Sequence, residues 1–254
     1  MSLLGVVLFS LVFLVLVSKN AHLDLLKELF PLRTLKRLNK AETVIDQYRM
    51  ATVFFSDIVG YTSMSSEMSP VLLMELLNSF YAEMDRISEE CGVYKIETVG
   101  DAYMVTGGCP DRCTGPEGAE KVARFAIAAL DMLREFKTPS GINVIIRVGL
   151  NSGPLVAGVV GTRKPHYTVF GDTVNVASRM ESTSLKMKIQ CSDMTYRLLR
   201  DAPKFNFDME SRGETEIKGK GFMHTWWVHG CSERTPNGGG KAQKDENETY
   251  TYSV

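Results

Sequence analysis

The chain has 254 residues, 44% hydrophobic and 23% charged, with a net charge of −1. That length suits one sizeable domain plus extensions, the composition is ordinary for a globular protein, and nothing in the near-zero charge points to a nucleic-acid-binding surface. The five scattered cysteines, at 91, 109, 113, 191 and 231, read as reduced cytosolic thiols, because Cys109 and Cys113 have no second pair or histidine cluster to complete a zinc site.

Leu3 to Val17 is apolar except for Ser10, and no charge appears before Lys19. A spanning helix wants about 20 such residues, so the stretch is short. A signal peptide would show a basic start and a small-residue cleavage site. A buried helix would show polar positions at helical spacing. A membrane anchor over 1–18 is the favoured reading, with a signal peptide and a buried helix as alternatives. Lys19, Lys27, Arg33, Lys36 and Arg37 follow it, which places the rest of the chain in the cytoplasm. Residues 19–48 read as a connector, with leucines at helical spacing and Pro31 ending or kinking the helix.

The folded domain is expected over 49–230. Residues 51–57 read as a strand. Ser69-Pro70 has the form of an N-cap followed by proline at the first helical position, and Leu73, Leu76, Leu77, Phe80, Met84 and Ile87 line one face of the helix that follows. Residues 93–108 read as two strands around a tight turn at Gly100-Asp101. A second helix is expected over about 117–136, and "NVIIRVGLNSG" as the next strand. The order β-α-β-β-α-β predicts a ferredoxin-like α+β fold, an antiparallel sheet with helices on one face. A strand near 154–160, a helix near 173–184 and a terminal pair of strands around 214–228 complete the domain. The polar, glycine-rich tail, 231–254, is expected to be disordered. Its Asn247-Glu248-Thr249 spells a glycosylation sequon that a cytoplasmic tail would not use.

"ATVFFSDIVGYTSM", residues 51–64, ends a buried strand with Asp57 and breaks at once into a small-residue loop. Aspartate there is commonly a strand-end or N-cap residue; it also suits a metal beside a phosphate-binding turn. Asp101 alone reads as a Gly-Asp turn. In the ferredoxin-like order, however, the two carboxylates converge at one edge of the sheet, and such a pair suits divalent cations that also bind a triphosphate. Asn175 and Arg179 are four apart on a helix and share a face. Gly219 and Gly221 on either side of Lys220 mark a loop that approaches something closely.

Four motifs, "FFSDIVGYTSM", "YKIETVGDAYMVTGG", "FGDTVNVASRMES" and "EIKGKG", together resemble the class III nucleotide cyclases, most closely the catalytic domain of eukaryotic guanylate cyclases, from about Tyr48 to Val228. The resemblance implies that Asp57 and Asp101, with the carbonyl of Ile58, bind two Mg²⁺ or Mn²⁺ ions. It implies that amides of the loop from Val59 through Gly60 and Tyr61 to Thr62 cradle the phosphates. Asn175 would position the ribose, Arg179 would neutralise charge on the α-phosphate, and Arg147 and Lys218 would contact phosphates. It implies a homodimer, or a heterodimer with a related chain, with metals from one chain and Asn, Arg and Lys from the other.

In that family the base is read at two positions. Here they carry Glu97, the guanylate type, and Thr168, where guanylate cyclases usually carry Cys and some adenylate cyclases carry Thr. GTP is therefore the expected substrate, with ATP as the alternative and a silent, merely dimerising domain as a third reading.

Overall fold

The computed structural model describes residues 26–137 and 141–234. The apolar segment 1–18 lies outside the described residues, as does the tail from 235 onward. Among the described residues no helix is long and apolar enough to cross a membrane. The elements in chain order are α1 (Leu32–Leu38), β1 (Ile45–Ile58), α2 (Tyr61–Glu67), α3 (Pro70–Cys91), β2 (Tyr94–Val99), β3 (Ala102–Gly107), α4 (Gly115–Glu135), β4 (Ile146–Val160), β5 (His166–Phe170), α5 (Asp172–Ser182), β6 (Ile189–Ser192), α6 (Asp193–Arg200), β7 (Phe205–Ile217) and β8 (Gly221–Glu233).

The first four strands with α3 and α4 form the expected βαββαβ unit. They lie side by side as β2-β3-β1-β4, antiparallel at every step. The sheet then continues through β6, β8 and β7, with β5 paired to the far half of β4. The long helices start as their sequences dictate: Ser69 Oγ accepts from the Leu72 amide, and Pro70 occupies the first turn, where its missing N–H costs nothing. Leu76, Phe80, Met84 and Ile87 of α3 and Phe125, Ala126 and Leu130 of α4 pack on Phe54, Tyr103, Val105 and Leu150 of the sheet.

The opposite face is also covered, where helices on one face only were expected. Phe30, Leu35 of α1 and Ala177 of α5 close a second core over Tyr48, Ala51, Val53 and Leu155. The connector, with Pro31 as the N-cap of α1, is thus packed into the domain. Arg37 fastens it by an ion pair to Asp46 at 2.9 Å.

β1 begins at Ile45, before the expected start, because 45–48 already pair with Leu155–Gly158 of β4. The separate strand expected over 154–160 is the second half of β4, a single strand of 15 residues. Pro154 has no N–H to give a ladder and would normally interrupt it. It is tolerated because the β1–β4 register jumps there, from Tyr48–Leu155 to Ala51–Gly153. On its other edge β4 has left β6 after Leu150 and does not meet β5 until Val156, which pairs with Phe170. β7 and β8 are longer than the expected 214–228, and β8 runs to Glu233, inside the stretch expected to be tail.

Candidate active site

Asp57 closes β1 beside β3, and Asp101 sits in the turn that enters β3. Gly100 holds that turn in the left-handed region, φ 63°. The two carboxyl groups stand close enough to feel each other's charge. Burial, then the neighbouring Asp57 carboxylate, pushes Asp101 up to about 6, against the N–H groups of Asp101 itself and Ile58, which hold it down. Two carboxylates crowded in this way are an electrostatic deficit that divalent cations relieve. Among the described residues no group of three or more His, Cys, Asp or Glu could hold a metal. The donor set therefore fits cations that complete their shells with backbone carbonyls, phosphate oxygens and water. The Ile58 side chain is buried in the core, so only its backbone can face the pair.

The loop after Asp57 turns at Gly60, φ 79°, which is the N-cap of α2. The Val59 amide is spent on the Ile145 carbonyl at 2.8 Å, so the expected cradle narrows to the N–H groups of Gly60, Tyr61 and Thr62, the first-turn donors that a helix leaves open.

Arg147, expected on phosphate, is engaged elsewhere. It faces Asp57 across the β1–β4 ladder. Its Nη2 donates to Asp57 Oδ2 at 2.9 Å and its Nε to Glu181 Oε1 at 2.9 Å. Burial alone would lower the guanidinium pKa, but Glu181 first and then Asp57 hold it above its usual value. Sequence reasoning missed Glu181. It falls within the quoted stretch "FGDTVNVASRMES", but nothing in that local pattern pairs it with Arg147, because the contact depends on α5 lying close against β4. Gly149 permits that approach: a Cβ there would stand 2.0 Å from the Glu181 amide nitrogen.

The second set of residues gathers on α5 and the β7–β8 turn. α5 buries Thr173, Val176, Ala177 and Met180 and leaves Asn175 and Arg179 exposed on one side. Val176 and Met180 pack on Ile217 and Met223, which brings the turn against the helix. Lys220 secures it with an ion pair to Asp172 at 2.7 Å. Gly219 and Gly221 both adopt left-handed φ, 80° and 76°, so the turn presents Lys218 to solvent beside α5. Among the described residues no hydrogen bond or ion pair joins Asn175, Arg179 or Lys218 to Asp57 or Asp101.

Glu97 is half-buried on β2, just after a bulge that breaks the register between Lys95 and Glu97. Thr168 is buried on β5, opposite Gly158. The two strands meet where the rings of Tyr94 and Tyr167 pack edge to face, centroids 5.8 Å apart.

Against known proteins, the sequence profile of the adenylate and guanylate cyclase catalytic domain matches residues 43–230. Atrial natriuretic peptide receptor 2 of Homo sapiens is 42% identical over 215 residues, 84% of this chain and 20% of the receptor. The chain thus spans about a fifth of the length of the curated relatives it matches. Among solved structures, the guanylate cyclase domain of RhGC from Catenaria anguillulae in complex with GTP superposes with a TM-score of 0.69 at 43% identity, covering 72% of this chain and 98% of that one. A non-canonical dimeric guanylyl cyclase domain of the RhoGC fusion protein from Blastocladiella emersonii gives 0.66 at 42% identity, covering 74% and 99%. Four motifs in order, two aspartates converging on one sheet edge and a profile match across nearly the whole described fold lead to one assignment: the chain belongs to the adenylate and guanylate cyclase catalytic domain family.

Proposed function

We propose that the chain is a guanylate cyclase, converting GTP to 3′,5′-cyclic GMP and pyrophosphate in a homodimer. The observation that carries this reading is the crowded carboxylate pair Asp57 and Asp101, at neighbouring ends of β1 and β3, beside the open amides of Gly60, Tyr61 and Thr62. When bound, two Mg²⁺ or Mn²⁺ ions would lower the pKa of the ribose 3′-hydroxyl and neutralise the triphosphate. Asp57, Asp101 and the Ile58 carbonyl would hold them. In the reaction a bond forms between O3′ and the α-phosphorus, the bond to the bridging oxygen breaks, and pyrophosphate leaves. Asn175 would orient the ribose, and Arg179 would take up negative charge that develops on the α-phosphate. Lys218 would hold the leaving phosphates.

Glu97 favours guanine. A carboxylate accepts from guanine N1–H and its amine, whereas adenine offers an acceptor at N1 and no amine there. Thr168 is less selective, since its hydroxyl can donate to guanine O6 or accept from the adenine amine; ATP is the second reading for that reason. Turnover of GTP and ATP in parallel, in Mg²⁺ and in Mn²⁺, tests the assignment. No cyclic product from either nucleotide would leave a silent dimerising domain.

The domain would stand in the cytoplasm, anchored through residues 1–18, a reading supported by the basic residues that follow that stretch. Carbonate-resistant association of the full chain with membranes checks it, with release on deleting 1–18.

A further inference from the structure

Arg147 occupies the place where two demands meet. One side of its guanidinium holds Asp57, the other Glu181, both at 2.9 Å. The Glu181 side chain is only 10% exposed, against 29% for Asp57. Among the described residues no other cationic side chain pairs with either carboxylate. Desolvation makes Glu181 the partner that can least do without the cation. Asp57 is the partner with an alternative, since it is also the proposed cation ligand. An Arg N–H and a divalent cation cannot both be served at full strength by the same Oδ2. The guanidinium fork has nitrogens to spare, so it can give up one carboxylate and keep the other.

We propose that Arg147 is the built-in counter-ion of the cation-free site. Cation entry displaces it from Asp57, and Glu181 retains it at the edge of the site, where its released nitrogen faces the incoming triphosphate. This rests on the cyclase reading of the site. Glu181 is then a positioning residue: it acts through Arg147 and touches neither cation nor substrate. The exchange also ties cation binding to nucleotide binding, because cations alone must compete with Arg147, whereas cations arriving with a triphosphate offer the guanidinium a new anion.

The test is Mn²⁺ binding to the nucleotide-free full chain, read from the electron paramagnetic resonance signal of free Mn²⁺. R147Q/E181Q replaces the ion pair by amides of similar shape and leaves the net charge around the two aspartates unchanged. It should bind Mn²⁺ about threefold tighter, the size expected for removing one partly exposed competing ion pair. Its KM for the metal–GTP complex should rise at the same time. E181Q alone leaves Arg147 only Asp57 to hold, and should bind Mn²⁺ about threefold weaker. A purely structural role would weaken Mn²⁺ binding in both variants; opposite signs support the exchange. If the double variant does not fold, E181Q decides: unchanged or tighter binding overturns the proposal. Asp57→Asn separates the two levels. Loss of Mn²⁺ binding in it, with no gain in R147Q/E181Q, overturns the counter-ion role alone. Wild-type binding in Asp57→Asn overturns the metal reading with it.

Discussion

Tyr81 reaches from α3 to the turn that carries Asp101. Its hydroxyl donates to the Gly100 carbonyl at 2.6 Å, and its ring stacks on Tyr103 with centroids 5.9 Å apart. Burial first, then the charge of Asp101, pushes the hydroxyl pKa up to about 12, so it remains a donor at any working pH. Tyr81→Phe removes only that bond, worth about 1 kcal/mol. The midpoint of thermal unfolding should fall by about 2–4 °C, while the Mg²⁺ concentration for half-maximal rate rises; an unchanged Mg²⁺ requirement would show that the turn places Asp101 without help. The aspartates themselves are a sharper case. Asp57→Asn and Asp101→Asn should each abolish turnover with the fold retained, and near-normal rates in either at saturating Mg²⁺ would end the two-cation assignment. At the base, a charged Glu97 left unpaired by adenine costs on the order of 3 kcal/mol, over a hundredfold in favour of GTP. Thr168→Cys should widen that preference. An ATP value of kcat/KM equal to or above that for GTP in the unaltered chain would show that Glu97 does not read the base.

α5 and β4 touch backbone to backbone, and the contact sets both halves of the site. A Cβ at Gly149 would lie 2.0 Å from Glu181 N and 2.6 Å from the Ala177 carbonyl, atoms that cannot step aside as a side chain could. Gly149→Ala should therefore cost about 2–4 kcal/mol, measurable by urea unfolding, and an equally stable variant would show that the helix can lift freely. This contact also marks the limit of what could be read from sequence. The βαββαβ order was legible because α3 and α4 are long, capped and periodic, and from that order the meeting of Asp57 and Asp101 followed. β6 has four residues and α6 eight, too short to show a period. Pro154 looked like a strand boundary because the bulge opposite it belongs to another strand. The reach of Arg147 to Glu181 and Asp57, 34 and 90 residues away in sequence, depends on how closely one helix approaches one strand, and no local pattern encodes that.

Within one chain, among the described residues, no hydrogen bond or ion pair joins Asn175, Arg179 or Lys218 to Asp57 or Asp101. At 3.6 residues per turn, each step along α5 rotates the side chain by about 100°. Arg179 and Asn175 therefore share a side, while Glu181, two steps beyond Arg179, points about 200° round the helix from it. Glu181 is the one turned toward Asp57, through Arg147. Val176, Ala177 and Met180 hold α5 in the core and leave Arg179 on its exposed side. In the proposed homodimer a second copy would join the two sets of residues: a closed two-fold dimer would offer two equivalent sites, each with aspartates from one chain and Asn175, Arg179 and Lys218 from the other. Chains carrying Asp101→Asn and chains carrying Arg179→Ala should each be inactive alone. Mixed in equal amounts and allowed to exchange, half of the dimers are hybrids, and each hybrid has one site with every residue intact. Activity should return to about a quarter of that of the unaltered chain. Hybrid dimers shown to form, yet still inactive, would mean that each site is built within a single chain.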